Sequence, residues 1–139
     1  MTADPANLRF YVDESALGLG KALVAARKDT IHVGHPLIPE CPLGVLDPVW
    51  IQAVAARGLI VIGRDKRIRS KPEEIRQLMA AGLRVFRIGG KRDLPTWEWL
   101  VRVVRHWDTI EELVRARQDG PWFYVINDGG LREVKLEPH

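Results

Sequence analysis

The chain has a single cysteine, Cys41, which excludes a disulfide framework and a cysteine-based zinc site. It has no apolar run near the roughly 18 residues of a membrane span. Its start, MTADPANLRF, lacks the basic-then-apolar order of a signal peptide. These absences lead us to expect a cytoplasmic protein with no membrane contact. Internal repeats, low-complexity tracts and linkers are also missing, so we expect the 139 residues to form one domain. Folding at that length buries roughly two thirds of the unfolded chain's surface. With 46% hydrophobic and 28% charged residues, the composition excludes a disordered or fibrous chain. The charge is not strongly of one sign either. A formal +3 does not by itself identify a nucleic-acid binder.

What the chain does have is a concentrated basic stretch. Arg64, Lys66, Arg67, Arg69 and Lys71 stand against one acid, Asp65. The plain reading of such a run is a solvated loop and helix start; the functional reading is a phosphate-binding surface.

The periodicity alternates between short apolar strands and capped helices. Leu8 to Val12, Thr30 to Val33, Leu59 to Gly63 and Leu83 to Ile88 read as strands, being rich in β-branched, aromatic or continuously apolar residues. Between them lie three helices: from Ser15 as cap to about Arg27, from Asp47-Pro48 to Arg57, and from the Ser70–Glu73 capping box through Ala81. Gly58 and Gly82 stop the last two. This order calls for a parallel sheet with right-handed crossovers. The Pro-rich HPLIPECPLG stretch is neither helix nor central strand. Helices at about Trp97–His106 and Ile110–Arg117 then lead to a hairpin, Trp122 to Ile126 and Leu131 to Leu136, turning at Asp128-Gly129. We read this hairpin, about 121–137, as a C-terminal appendage of an α/β domain.

In a parallel sheet, residues after strands and at the starts of following helices share one rim, where such sheets bind ligands. Asp13 and Glu14 follow the first strand, Asp47 opens the second helix and Asp65 follows the third strand after Arg64. With strand order 2-1-3-4, Asp13 and Asp65 flank the crevice where the crossovers change face. Carboxylates gathered so closely raise one another's pKa unless a cation neutralises them. Hard oxygen ligands without His or Cys suit Mg²⁺ or Mn²⁺.

Each residue also has a plainer role: Asp47 as a helix cap, Glu14 and Asp65 as surface acids. Their joint placement favours the metal site. The His32/His35 pair is discounted as a metal site, because three residues along a strand places side chains on opposite faces. No Ser-His-Asp arrangement is evident, and nothing marks Cys41 as reactive. The five tryptophans read as core or interface residues. Trp97 and Trp99, two apart on a helix, cannot share its buried face, so one of them is a candidate exposed anchor.

RFYVDES (Arg9 to Ser15), the Asp47-Pro48-Val49-Trp50 start, VIGRDKRIRSKP (Val61 to Pro72), LRVFRIGG (Leu83 to Gly90) and the closing GPWFYVINDGGLREVKL (Gly120 to Leu136) together resemble the PIN-like nuclease domains. The likeness is to the compact group associated with VapC-type toxins. It implies a three-layer α/β/α fold with a central, mostly parallel sheet. It also implies an Mg²⁺- or Mn²⁺-dependent ribonuclease in which Asp13, Asp47 and Asp65 form the acidic cluster, with Glu14 a fourth member. RNA would be the substrate, bound by Arg64, Lys66, Arg67, Arg69 and Lys71. The partner would be a cognate antitoxin protein, and a homodimer stays open. Two alternatives compete: a phospho-acceptor receiver domain, against which the hairpin in place of a fifth parallel strand argues, and a catalytically silent RNA- or partner-binding module.

Overall fold

A computed structural model describes residues 3–64, 72–90 and 94–135. Six strands form one sheet: β1 (Phe10–Val12), β2 (Thr30–His32), β3 (Ile60–Arg64), β4 (Arg84–Ile88), β5 (Trp122–Asn127) and β6 (Gly130–Glu133). Their order across the sheet is β2-β1-β3-β4-β5-β6. The helices are α1 (Leu17–Ala26), α2 (Asp47–Ala56), α3 (Pro72–Ala80), α4 (Thr96–Arg105) and α5 (Trp107–Ala116).

The inner strands are mostly apolar because both faces of the sheet are covered. On one face Tyr11, Val61, Val85 and Phe123 pack with Trp50, Ile51 and Val54 of α2 and Leu78 of α3. On the other, Phe10, Val12, Ile60, Ile62 and Phe86 pack with Leu19 and Leu23 of α1, Val103 of α4 and Ile110 of α5. The expected three-layer α/β/α architecture is therefore present. So is the expected order of the first four strands, with α1 and α2 on opposite faces and the switch point between β1 and β3.

The C-terminal hairpin differs from expectation in one respect. β5 and β6 pair antiparallel, but β5 also pairs in parallel with β4, in register from Arg84↔Trp122 to Ile88↔Ile126. Its first strand is thus a fifth parallel strand of the central sheet, reached through α4 and α5. The missing-strand argument against a receiver domain fails with it. Fully buried Trp122 and Phe123 explain why this segment joins the sheet: a detached hairpin would leave both rings in water. Among the described residues, no helix is long and apolar enough to cross a membrane.

Candidate active site

Strand alternation decides which side chains meet at the C-terminal edge of the sheet. Tyr11, Val61 and Val85 face the α2/α3 side, so Asp13, Gly63 and Arg87, each two residues on, face it too. Gly63 and Arg87 are register partners across β3 and β4.

Asp13 is buried at 6% exposure and Arg87 at 4%. Arg87 Nη1 donates to Asp13 Oδ2 at 2.7 Å, and Nη2 donates to Glu74 Oε1, on α3, at 2.9 Å. Nη1 also reaches the Arg64 carbonyl at 3.3 Å. The other Asp13 oxygen, Oδ1, accepts from the Ser15 backbone amide at 3.0 Å and from the Ser15 hydroxyl. Asp13 thereby caps the 3₁₀ turn Glu14–Ala16 that leads into α1.

Ser15 was expected to cap the helix itself. It instead bridges Asp13 to the end of β3, its Oγ accepting from the Arg64 amide at 3.0 Å. The short turn inserted before α1 makes Asp13 the residue with free amides in reach.

A cleft of about 220 Å³ opens over this pair, lined by Asp13, Glu14, Asp47, Glu74 and Arg87 around Tyr11, Ser15 and Trp50. Glu14 Oε1 accepts from the Gly44 amide at 2.5 Å, tying the Pro-rich loop to one wall. Asp47 Oδ1 accepts from Trp50 Nε1 at 2.9 Å, and Trp50 stacks on Tyr11 with ring centroids 5.7 Å apart. Tyr11 is fully buried, and that burial pushes its pKa far up, so it stays protonated.

The capping role considered for Asp47 does not hold. Leu46 is the N-cap of α2 and makes no side-chain cap bond, while Asp47 is already helical. Its carboxylate is held by Trp50 and turned to the cleft.

The sheet edge thus brings Asp13, Glu14 and Asp47 together, as expected. Asp65, Lys66, Arg67, Arg69 and Lys71 lie outside the described residues. Arg64 is not among the cleft-lining side chains, because strand alternation sends it to the opposite face. There its guanidinium lies 5.1 Å from the Trp99 ring centroid. Trp97 is the exposed tryptophan of the pair, at 69%, and Trp99 is partly buried against the core.

The reason given for discounting His32 and His35 also needs correction. β2 ends at His32, and a turn through Gly34 at φ 80° folds His35 back, leaving the two rings 5.5 Å apart. Cys41 is buried, and that burial raises its thiol pKa, which suits a structural cysteine.

Sequence reasoning missed Glu74 and Arg87. Arg87 had a signal: it is a charge inside the apolar run LRVFRI, and a buried strand tolerates a charge only with a partner. Gly63 carried the complementary signal. A Cβ there would lie 2.8 Å from Asp13 Oδ2 and closer still to Arg87 Nη1, so only glycine lets the pair cross β3.

The family model of the PIN like domain matches residues 8–90. The chain belongs to the PIN-like domain family. PIN-like domains are generally nucleases, which makes hydrolysis of nucleic acid the family's kind of chemistry. The match ends at the close of β4 and includes every residue of the cleft named above. No curated protein and no solved structure matches the chain.

PIN domains typically use divalent metals, and the donors here fit that use in kind: carboxylate oxygens on one wall. Yet among the described residues no group of three or more His, Cys, Asp or Glu is placed to hold one ion.

Proposed function

We propose that this PIN-like domain is a metal-dependent endoribonuclease and the toxin of a type II toxin-antitoxin pair of the VapC kind. One observation carries the nuclease reading: among the described residues, four carboxylates, Asp13, Glu14, Asp47 and Glu74, line one cleft against the single guanidinium of Arg87. That excess of negative charge at the switch point of a parallel sheet calls for a cation from outside.

Mg²⁺ or Mn²⁺ held by Asp13, Glu14, Asp47 and Asp65 would supply activated water and neutralise charge on the phosphoryl oxygens. The chain's own residues do the rest. Ser15 fixes the Asp13 carboxylate, Trp50 fixes Asp47, and the Gly44 amide fixes Glu14. Lys66, Arg67, Arg69 and Lys71 hold backbone phosphates of the RNA, with affinity that falls as salt rises; Arg64, turned to the opposite face, leaves that set. Leu43, Leu46 and Val49, exposed at 61%, 71% and 45%, are chain neighbours of the cleft residues Gly44, Val45, Asp47 and Trp50 and would offer apolar contact to an inhibitory antitoxin. The resemblance to the VapC-type group supports that partner. The receiver alternative is set aside by the family match.

The test is RNA cleavage with Mg²⁺, Mn²⁺ or EDTA. Asp13→Asn and Asp65→Asn should each abolish cleavage while keeping the fold, as judged by circular dichroism. Full metal-dependent activity in either variant would remove that residue from the site. A second reading, a silent RNA- or partner-binding module, is favoured by one observation, the engagement of Asp13 with Arg87. RNA binding without cleavage in any metal would decide for it.

A further inference from the structure

The cation that neutralises Asp13 in this structure is supplied by the chain itself. Arg87 spans Asp13 Oδ2 and Glu74 Oε1 at 2.7 and 2.9 Å from a side chain only 4% exposed. At that burial the charge is weakly screened. A dication sharing Asp13 with the guanidinium would face a like charge at short range. Glu74 changes what happens next. A buried arginine that lost its only carboxylate would be left unpaired at high cost. With Glu74 on its second nitrogen, Arg87 can let go of Asp13 and keep a partner. Gly63 adds an independent sign that the pairing is built in, since a Cβ on β3 would collide with both members of the pair.

We propose that Arg87 is a positioning residue that competes with a divalent cation for Asp13, so that the ion binds only as the guanidinium withdraws to Glu74. The inference rests on the divalent-cation reading of the cleft. Its consequence is that the free domain holds Asp13 paired from within, and that its metal affinity is set by the charge on residue 87.

Mn²⁺ binding, measured by titration calorimetry, tests this on the wild type, Arg87→Gln, Arg87→Lys and the double variant Asp13→Asn/Arg87→Gln. Arg87→Gln should bind Mn²⁺ about ten- to a hundredfold more tightly, the range by which partners of metal ligands ordinarily move affinity. Arg87→Lys, which keeps the charge, should stay near the wild type, and the double variant should lose the gain. If Arg87→Gln is too unstable for titration, its melting temperature reads the same equilibrium, because Mn²⁺ should raise it more than it raises the wild type's. Equal or weaker Mn²⁺ binding by a folded Arg87→Gln would overturn the competition, as would Arg87→Lys binding as tightly as Arg87→Gln. No Mn²⁺ binding by any of the proteins would overturn the divalent-cation reading itself and the competition with it.

Discussion

The two ends of β1 carry ion clusters built from the same residue types, and they differ in charge balance and in access to water. At the N-terminal end Arg9 bonds Asp29 at 3.2 Å and Glu111 at 2.6 Å, while Arg27 bonds Asp29 at 2.8 Å. Two arginines meet two acids, with Arg9 and Arg27 side chains 37% and 32% exposed. At the C-terminal end Arg87 and Asp13 are 4% and 8% exposed, and Glu74 is 15% exposed. There, among the described residues, the acids outnumber the guanidinium, and the cluster opens on a cleft. The balanced cluster closes the bottom of the sheet and ties α5 to it. The unbalanced one is left with charge to spend on a ligand, which separates a structural ion network from a functional one.

The largest effect should come from removing an acid at each end in turn. Asp13→Ala removes a charged hydrogen bond to Arg87 and the cap bonds to Ser15 in a dry setting, though Glu74 still pairs the guanidinium, and should cost about 2–3 kcal/mol of stability. Asp29→Ala removes bonds to arginines about a third exposed, which water can replace, and should cost only about 1–2 kcal/mol. Urea unfolding of both variants measures the difference. Equal costs would erase the distinction between the two ends.

Gly63→Ala sharpens the comparison at the functional end alone. A methyl group placed 2.8 Å from Asp13 Oδ2 and 2.9 Å from Oδ1 must displace the carboxylate itself, an overpacking cost of about 1–3 kcal/mol. Its clearer signature is functional: metal-dependent RNA cleavage should fall strongly while circular dichroism stays unchanged. Undiminished cleavage would mean that the position of the Asp13 carboxylate does not matter to the chemistry.

The acids were legible from sequence because their positions follow from topology. Once strand, helix, strand order implies a parallel sheet, Asp13, Glu14 and Asp47 must reach one rim, whatever the side chains pack against. Partners obey no such rule. Arg87 and Glu74 meet Asp13 only through register and helix placement, and they stand 74 and 61 positions along the chain from it. Errors also arose where an element boundary moved by a residue or a turn was hidden. Asp47 lost its capping role because α2 begins at Asp47 itself, and His32 and His35 met because β2 stops before the turn. The parallel pairing of β5 was obscured by its hairpin partner, whose Asp128-Gly129 signal is local while the pairing with β4 is not.

The smallest expected effect concerns pH and belongs to the balanced end. Burial pulls the Asp29 carboxyl up, but hydrogen bonds from Arg27 and Thr30 and the charges of Arg27 and Arg9 outweigh it, leaving its pKa below the ordinary carboxylate value. A carboxyl with a depressed folded-state pKa binds its proton more readily in the unfolded chain. It therefore adds stability that is fully present above the ordinary aspartate range and is lost as pH falls through the lowered folded-state value. Asp29→Asn should remove that dependence: melting temperatures of wild type and variant should differ near neutral pH and converge as pH drops below the carboxylate range. Because the arginines around Asp29 are about a third exposed, solvent screening keeps the gap to a few degrees at most. A constant gap across the acid range would mean that Asp29 contributes through geometry rather than charge, and that the N-terminal cluster is a hydrogen-bonded brace more than an ionic one.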